Sequence, residues 1–446
     1  MKDKKFYKIA IKMAWPSVLE SFFIALAGMI DTMMVGSLGN FAIASVGLTT
    51  QPKFIGFTIF FALNIAVSAL VARRKGQEDK KGANEVFVTS MTIALILCLI
   101  ISLSLVFFAS PIMSLAGSNA QTHEPSVNYF SIIMGGMVFN VVAMCINSAQ
   151  RGSGNTKIAF VTNLTSSIVN IIFNYLLIGG KFGFPALGIK GAAIATVFGS
   201  FVAMVMSILS LFNKQSLIEY RFIQKYKIRL NTNTLKSLIK FSSTMFIENI
   251  AMRIGFLATA LTAAKLGTDA FAAHNAGMNI LSLGFSFGDG MQVAAVALAG
   301  RSLGEENPDL AIKYGYICQR IGLIISILLS IFLLIFGRNI MSLYFRDTTA
   351  INMGLMITRF IMVIVLLQIS QLIFAGCLRA GGDVKYTMIT GFVSVTIIRT
   401  AVTIIAVNYF NLGLTGIWLG VLADQISRFV MFGLRFRSRK WTGIKI

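Results

Sequence analysis

The chain is short of nearly everything that soluble catalytic chemistry uses. Of its 446 residues only 17 are acidic, two are histidine and four are cysteine. Cys98, Cys145, Cys318 and Cys377 fall in apolar stretches without CxxC or Cys/His spacing, which argues against a zinc site or disulfide framework and for buried apolar thiols. His123 and His274 have no partner at metal-ligand spacing. No Walker loop, GxSxG elbow or HExxH is present, so the chain is not expected to hydrolyse ATP, to act as an enzyme or to carry a cofactor. No cleavable signal peptide is evident, because the Lys-rich start runs straight into an apolar segment holding Glu20 and Asp31.

What fills the space is apolar. Hydrophobic residues make up 56% of the chain and charged ones 13%, with mean hydropathy +0.78, which is the balance of an integral membrane protein. About 20 apolar residues cross a bilayer, and twelve such segments follow one another: near 14–36, 54–72, 87–109, 127–149, 159–179, 190–213, 237–264, 272–300, 316–337, 351–378, 386–409 and 412–434. The second half repeats the first at an offset of 228. Glu20/Glu248, Gly39/Gly267, Gly56/Gly284, Arg73/Arg301, Arg151/Arg379 and Lys157/Lys385 coincide without a gap. Six spans per copy is an even number, so the copies enter the membrane in the same sense and an axis along the membrane normal relates them. The expected fold is therefore all-α: twelve transmembrane helices in two six-helix lobes, 1–213 and 237–446, joined by a basic linker at 214–236. A duplicated, strongly apolar chain is the pattern of secondary transporters, whose site lies between repeats near the bilayer midplane.

A net charge of +22 invites a nucleic-acid reading that the positions of the basic residues refuse. Lys and Arg gather at the N-terminus (Lys2, Lys4, Lys5, Lys8), in the even-numbered connections and in the tail (Arg435, Arg437, Arg439, Lys440), and are sparse in the odd-numbered connections. This is the positive-inside pattern. It predicts cytoplasmic termini and a cytoplasmic linker, with the basic clusters facing anionic lipid rather than nucleic acid.

Ionisable groups inside a membrane are costly unless solvated or paired, so they mark candidate sites. Asp31 lies deep in the first span, eleven residues after Glu20, which puts both carboxylates on one helix face. In the fifth span Asn163, Ser167, Asn170 and Asn174 recur at i, i+4, i+7 and i+11 as a polar stripe. Such a stripe either glues helices together or lines a cavity. The repeat supplies a control: Asp31 maps to Thr259, and Asn163, Asn170 and Asn174 map to Gly391, Ile398 and Val402. Confinement of the stripe to one copy favours a specialised task, an ion-coupling site in the N-terminal lobe. The C-terminal lobe holds a different set, including Glu248, Arg253, Asp289, Arg359, Gln368 and Arg399. Asp424 and Arg428, one turn apart, are expected to pair, and Asp289, between Gly288 and Gly290, to face a cavity.

Several motifs now read together: Pro16 with Asp31-Thr32-Met33-Met34-Val35-Gly36, Asn170-x-x-x-Asn174 followed by Gly188-x-x-Gly191-Ala192-Ala193, Ala272-Ala273-His274-Asn275, Gly300-Arg301-Ser302-Leu303-Gly304-Glu305, and Arg151-Gly152-Ser153-Gly154-Asn155 with its copy Arg379-Ala380-Gly381-Gly382-Asp383. In this order the chain resembles the multidrug and toxic compound extrusion (MATE) family of antiporters, within the multidrug/oligosaccharidyl-lipid/polysaccharide flippase superfamily. The resemblance implies a V-shaped pair of lobes in the cytoplasmic (inner) membrane, functioning as a monomer and exporting small cationic amphiphiles in exchange for H+ or Na+. The family's first-span acid falls on Asp31, its fifth-span polar pair on Asn170 and Asn174, and its first-span proline on Pro16. Some members have an acid where this chain has Asn174. In the sodium-coupled branch two further acids fall on Met252 and Gln368 here, with Glu248 one turn before Met252.

The implied mechanism loads H+, or Na+ held by Asp31, Asn170 and Asn174, from outside and thereby removes the cost of closing a dry lobe around a charge. Pro16 either lets the first span bend or is a tolerated first-turn proline. The many Phe and Met offer soft walls for amphiphiles, although most face lipid or core. The alternative is a lipid-linked oligosaccharide flippase, which needs a cationic cavity that Arg253, Arg359 and Arg399 would have to supply. A membrane-embedded transferase would need acidic or His clusters at a membrane face, and the short loops show none.

Overall fold

Backbone polar groups in lipid must be satisfied within the segment, so long apolar runs become helices. The computed structural model describes residues 2–214, 216–345 and 347–444. Among them eleven helices are long and apolar enough to cross a membrane, and one bent pair supplies a twelfth span. In order the spans are Lys2–Gly36, Asn40–Gly76, Lys80–Phe107, the pair His123–Gly135 and Met137–Gly152, Thr156–Gly179, Gly188–Ser210, Thr232–Lys265, Thr268–Gly304, Pro308–Tyr344, Thr348–Ala380, Val384–Asn408 and Gly413–Arg437.

The repeat reaches the backbone. Gly39 and Gly267, which open the second and eighth spans, have φ of 111° and 107°, conformations that only glycine adopts without strain. Glu78 and Glu306 share φ of 57° and 55°. The residues that follow them, Asp79 and Asn307, both cap the next helix, accepting from the amides of Gly82 and Leu310.

Two departures from the repeat matter for function. The fourth span bends by 44° at Gly136, whereas its counterpart Thr348–Ala380 is one unbroken helix with Ile364 at that position. A Cβ on Gly136 would stand 2.5 Å from Val197 Cγ1, so the bend seats this turn against the sixth span. Ser102 Oγ donates to the Met134 carbonyl beside the break at 2.7 Å. In the eleventh span, Phe392–Arg399 forms a π-helical segment where its copy in the fifth span is α-helical. There Val395 lies against Gly255, which has no room for a side chain.

The chain divides into two compact units, Leu19–Ser243 and a second made of Met1–Val18 with Thr244–Ile446. Both divisions fall inside helices, the first and the seventh spans. In the second unit the start of the first span packs through Phe6, edge-on to Tyr314 at 5.6 Å, and through Tyr7, whose hydroxyl accepts from Arg320 at 2.9 Å. Further along, Val18 closes onto Gly290. Pro16 lies fourteen residues beyond Lys2, where its helix begins, so the first-turn account of this proline does not hold. It removes an internal helical hydrogen bond two residues before the unit boundary.

Candidate functional site

The polar stripe of the fifth span splits between two clusters, both inside the unit Leu19–Ser243. At one, Glu20 is buried and accepts from Arg151 Nη1 at 2.7 Å and from Asn163 Nδ2 at 2.5 Å. The C-terminal lobe repeats this pair: Glu248 accepts from Arg379 Nη2 at 2.7 Å and from Thr387 Oγ1 at 3.3 Å. A carboxylate matched by a guanidinium in both copies ties the first span of each repeat to its fourth, and Glu248 is committed to that pairing.

The second cluster exists in one lobe only. Asp31, half-buried, accepts from Asn174 Nδ2 at 2.5 Å. Asn174 is fully buried and also lies 3.5 Å from Asn170 Oδ1, while its own Oδ1 has no donor among the described residues. Asn170 Nδ2 donates to Thr196 Oγ1 at 3.1 Å, and Thr196 Oγ1 donates to the Ala192 carbonyl. The close approach of the sixth span makes this reach possible, because a Cβ on Gly199 would stand 2.8 Å from the Ser166 carbonyl and 3.2 Å from Asn170 Cβ. Ser167 makes no side-chain hydrogen bond among the described residues and joins neither cluster. The arrangement sets carboxylate and amide oxygens together in a helical interior, a donor set suited to a proton or a hard monovalent cation.

In the C-terminal lobe the corresponding positions form a closed ion-pair cluster. Thr259, the counterpart of Asp31, accepts from Arg399 Nε at 3.1 Å. Asp424, the counterpart of Thr196, takes both Arg428 Nε and Nη2 at 2.8 Å and lies 3.6 Å from Arg399 Nη1. The Asp424–Arg428 pair expected from their spacing is present. Arg399 is thus a tethered cation that fills the second copy, whereas the first copy presents Asp31 and an amide oxygen unpartnered among the described residues. Arg399 is enclosed by Asp424, Thr259 and the Phe256 ring, whereas Arg253 and Arg359 are exposed. Asp289 is exposed and makes no hydrogen bond or ion pair among the described residues. Gln368 is fully buried with both amide atoms lacking partners among the described residues.

One charged side chain beside the site escaped the sequence reading. Lys53 sits thirteen residues inside the second span, whose helix begins at Asn40, well before the apolar segment read from hydropathy. Its Nζ lies 4.9 Å from the centre of the Tyr129 ring and interacts electrostatically with Asp31. The signal was available, since Lys53 maps to Leu281 just as Asp31 maps to Thr259. No group of three or more His, Cys, Asp or Glu side chains suited to a metal occurs among the described residues.

The family model described as MatE matches residues 16–176 and again 244–405, two copies in step with the internal repeat. The "Probable multidrug resistance protein NorM" of Thermotoga maritima is 27% identical over 438 residues, covering 97% of this chain and 93% of the relative. An "Uncharacterized transporter YisQ" of Bacillus subtilis is 24% identical, covering 98% and 95%. Among solved structures, the outward-facing conformation of a multidrug resistance MATE family transporter superposes with a TM-score of 0.89 at 22% identity, over 98% of this chain and 97% of that one. These share the twelve-helix, two-lobe fold with the present chain. Matched twice by one family model over most of its length, this multi-pass membrane protein belongs to the MatE family of transporters.

Proposed function

We propose that the protein is a secondary active multidrug efflux antiporter of the cytoplasmic membrane, exporting small amphiphilic, mainly cationic compounds in exchange for H+ or Na+. The observation that carries this reading is the Asp31–Asn174–Asn170–Thr196 chain, present in one repeat and replaced in the other by an arginine locked between Thr259 and Asp424. A site kept open in one lobe and internally neutralised in the other is what ion coupling through a single lobe requires. Loading Asp31 with H+, or with Na+ shared among its carboxylate, Asn174 Oδ1 and Asn170, neutralises the charge and favours closure of the lobe. Release towards the cytoplasm restores the charge, and the cycle exchanges an inward ion for an outward substrate.

Pro16, beside the boundary between units, is the natural hinge of the first span. The protein acts as a monomer, needs no cofactor beyond its coupling ion, performs no enzymatic step and binds lipid rather than nucleic acid, with both termini in the cytoplasm. An oligosaccharide-lipid flippase would need the cationic cavity that Arg399, held by Asp424, does not furnish. The test is efflux of a fluorescent cation from reconstituted vesicles with pH and sodium gradients imposed separately. Efflux that follows either ion gradient supports the reading, and efflux indifferent to both overturns it.

A further inference from the structure

The helix of the first span runs from Lys2 to Gly36, longer than a bilayer needs. At a rise of about 1.5 Å per residue, Trp15 to Gly36 covers about 32 Å, enough for a hydrocarbon core of about 30 Å. Lys12, Lys8 and Lys4 then stand about 4.5, 10.5 and 16.5 Å further along the axis, in and beyond a head-group layer roughly 5–8 Å deep. Their long stems let the outer ammonium groups bend back into that layer.

Lys4, Lys8 and Lys12 recur at i, i+4 and i+8, and Tyr7, Ile11 and Trp15 follow beside them at the same interval, so the six side chains share one face. They line a groove of about 550 Å³. The lysines, Ile11 and Trp15 are exposed, and the three ammonium groups make no hydrogen bond or ion pair among the described residues. Tyr7 ties the groove to the ninth span, accepting at its hydroxyl from Arg320 Nη1 at 2.9 Å, which brings a fourth cation to the rim.

The second copy of the repeat separates this groove from an ordinary basic flank. At the offset of 228 it keeps Lys236 and Lys240 but has Thr232, Leu235 and Ser243 in place of Lys4, Tyr7 and Trp15. Charge placement across the membrane accounts for the lysines common to both copies. It does not account for the aromatic pair set among them in one copy. An indole at the edge of the hydrocarbon with ammonium groups above it complements a molecule that is apolar below and anionic above.

We infer that this groove seats one anionic phospholipid of the cytoplasmic leaflet, its phosphate held by Lys8 and Lys12 and an acyl chain lying along Ile11 and Trp15. A zwitterionic head group brings a cation of its own and meets repulsion from three lysines within little more than two turns, whereas an anionic head group does not. The side chains make the seat, and the amides of the first turn take no part. This narrows the general lipid contact proposed above to one place, and it stands whether or not the chain exports drugs.

Of the three tryptophans Trp15 is exposed while Trp418 and Trp441 are fully buried, so Trp15 fluorescence reports contact with lipid. The full-length protein is placed in phosphatidylcholine vesicles holding a small fraction of phosphatidylglycerol with brominated acyl chains, and in vesicles holding the same fraction of brominated phosphatidylcholine. The brominated phosphatidylglycerol is expected to quench at a fraction lower by about fivefold for each lysine engaged. Lys8→Gln with Lys12→Gln should bring the two lipids within about twofold of each other on the same argument, whereas Lys236→Gln with Lys240→Gln should keep the preference. Trp15→Phe should abolish the lipid-selective quenching, and replacing chloride by inorganic phosphate at constant ionic strength should leave it unchanged. Equal quenching of wild type by both lipids, equal loss of preference in the two lysine pairs, selective quenching that survives Trp15→Phe, or relief by phosphate, which would mark a seat for the free ion, overturns the inference. The wild-type comparison decides the matter even if the variants fail to insert. No transport is measured, so none of these results bears on the efflux reading.

Discussion

Asp31 and Asp424 show how environment assigns different work to the same side chain. Asp424 is fully buried against two arginines, so its charge is compensated within the lobe. Asp424→Asn leaves two guanidinium groups under-compensated in the interior, and a loss of about 3–5 kcal/mol is expected, read as a lowered melting temperature of the purified protein. Asp31 has one amide donor and, among the described residues, no hydrogen-bonded or ion-paired cation, Lys53 acting on it only electrostatically, so its charge is not neutralised within the chain as that of Asp424 is. Asp31→Asn should leave expression and melting temperature near those of wild type and abolish ion-driven efflux, because the amide imitates the loaded state and cannot release a cation. Retained efflux in that variant removes Asp31 from the mechanism. Asn174→Ala should weaken coupling by about 1–3 kcal/mol, seen as a shifted ion dependence, whereas Val402→Ala at the matching position should leave the ion dependence unchanged.

The spans themselves were legible from hydropathy, but their interruptions were not. Gly135-Gly136 reads as tolerated glycine in an apolar run, and the bend appears only when Gly136 meets Val197 of another span. The π segment of the eleventh span likewise lies against a distant neighbour, Gly255, an approach which no local pattern reveals. Lys53 was missed because a hydropathy window ends where a charge enters, although the helix runs on to Asn40. Asp31, Asn170 and Asn174 were legible because a polar group in an apolar span has few innocent explanations and the second copy lacks all three. The bend should be testable as an element. Gly136→Leu drives its side chain against Val197, with which Gly136 lines a cavity of about 290 Å³ between the second, fourth and sixth spans, and is expected to raise the KM for bulky substrates by at least about tenfold, in keeping with steric loss of a fitted pocket. Ile364→Ala at the matching position removes packing from a fully buried site, at about 2–5 kcal/mol of stability, without altering substrate preference. Equal KM changes in the two variants would disconnect the bend from the substrate cavity.

At the scale of the whole molecule the repeat and the charge placement constrain one another. Six spans per copy return the chain to the side on which it started, so the linker shares a side with both termini only if every span crosses, the bent fourth one included. Lys225, in the basic linker, and Gln121, before the fourth span, are both exposed, and the count of spans puts them on opposite sides of the membrane. The four native cysteines are free and buried, so they give a quiet background for labelling. Lys225→Cys and Gln121→Cys should each be modified by a membrane-impermeant maleimide from one side only, Gln121→Cys in intact cells and Lys225→Cys in inverted vesicles. If the bent pair were re-entrant rather than a full crossing, the count from the N-terminus to the linker would be odd, and both positions would label from the outside. That outcome would also invert the second copy relative to the first, and with it the argument that Arg399 occupies in one lobe the place left open beside Asp31 in the other.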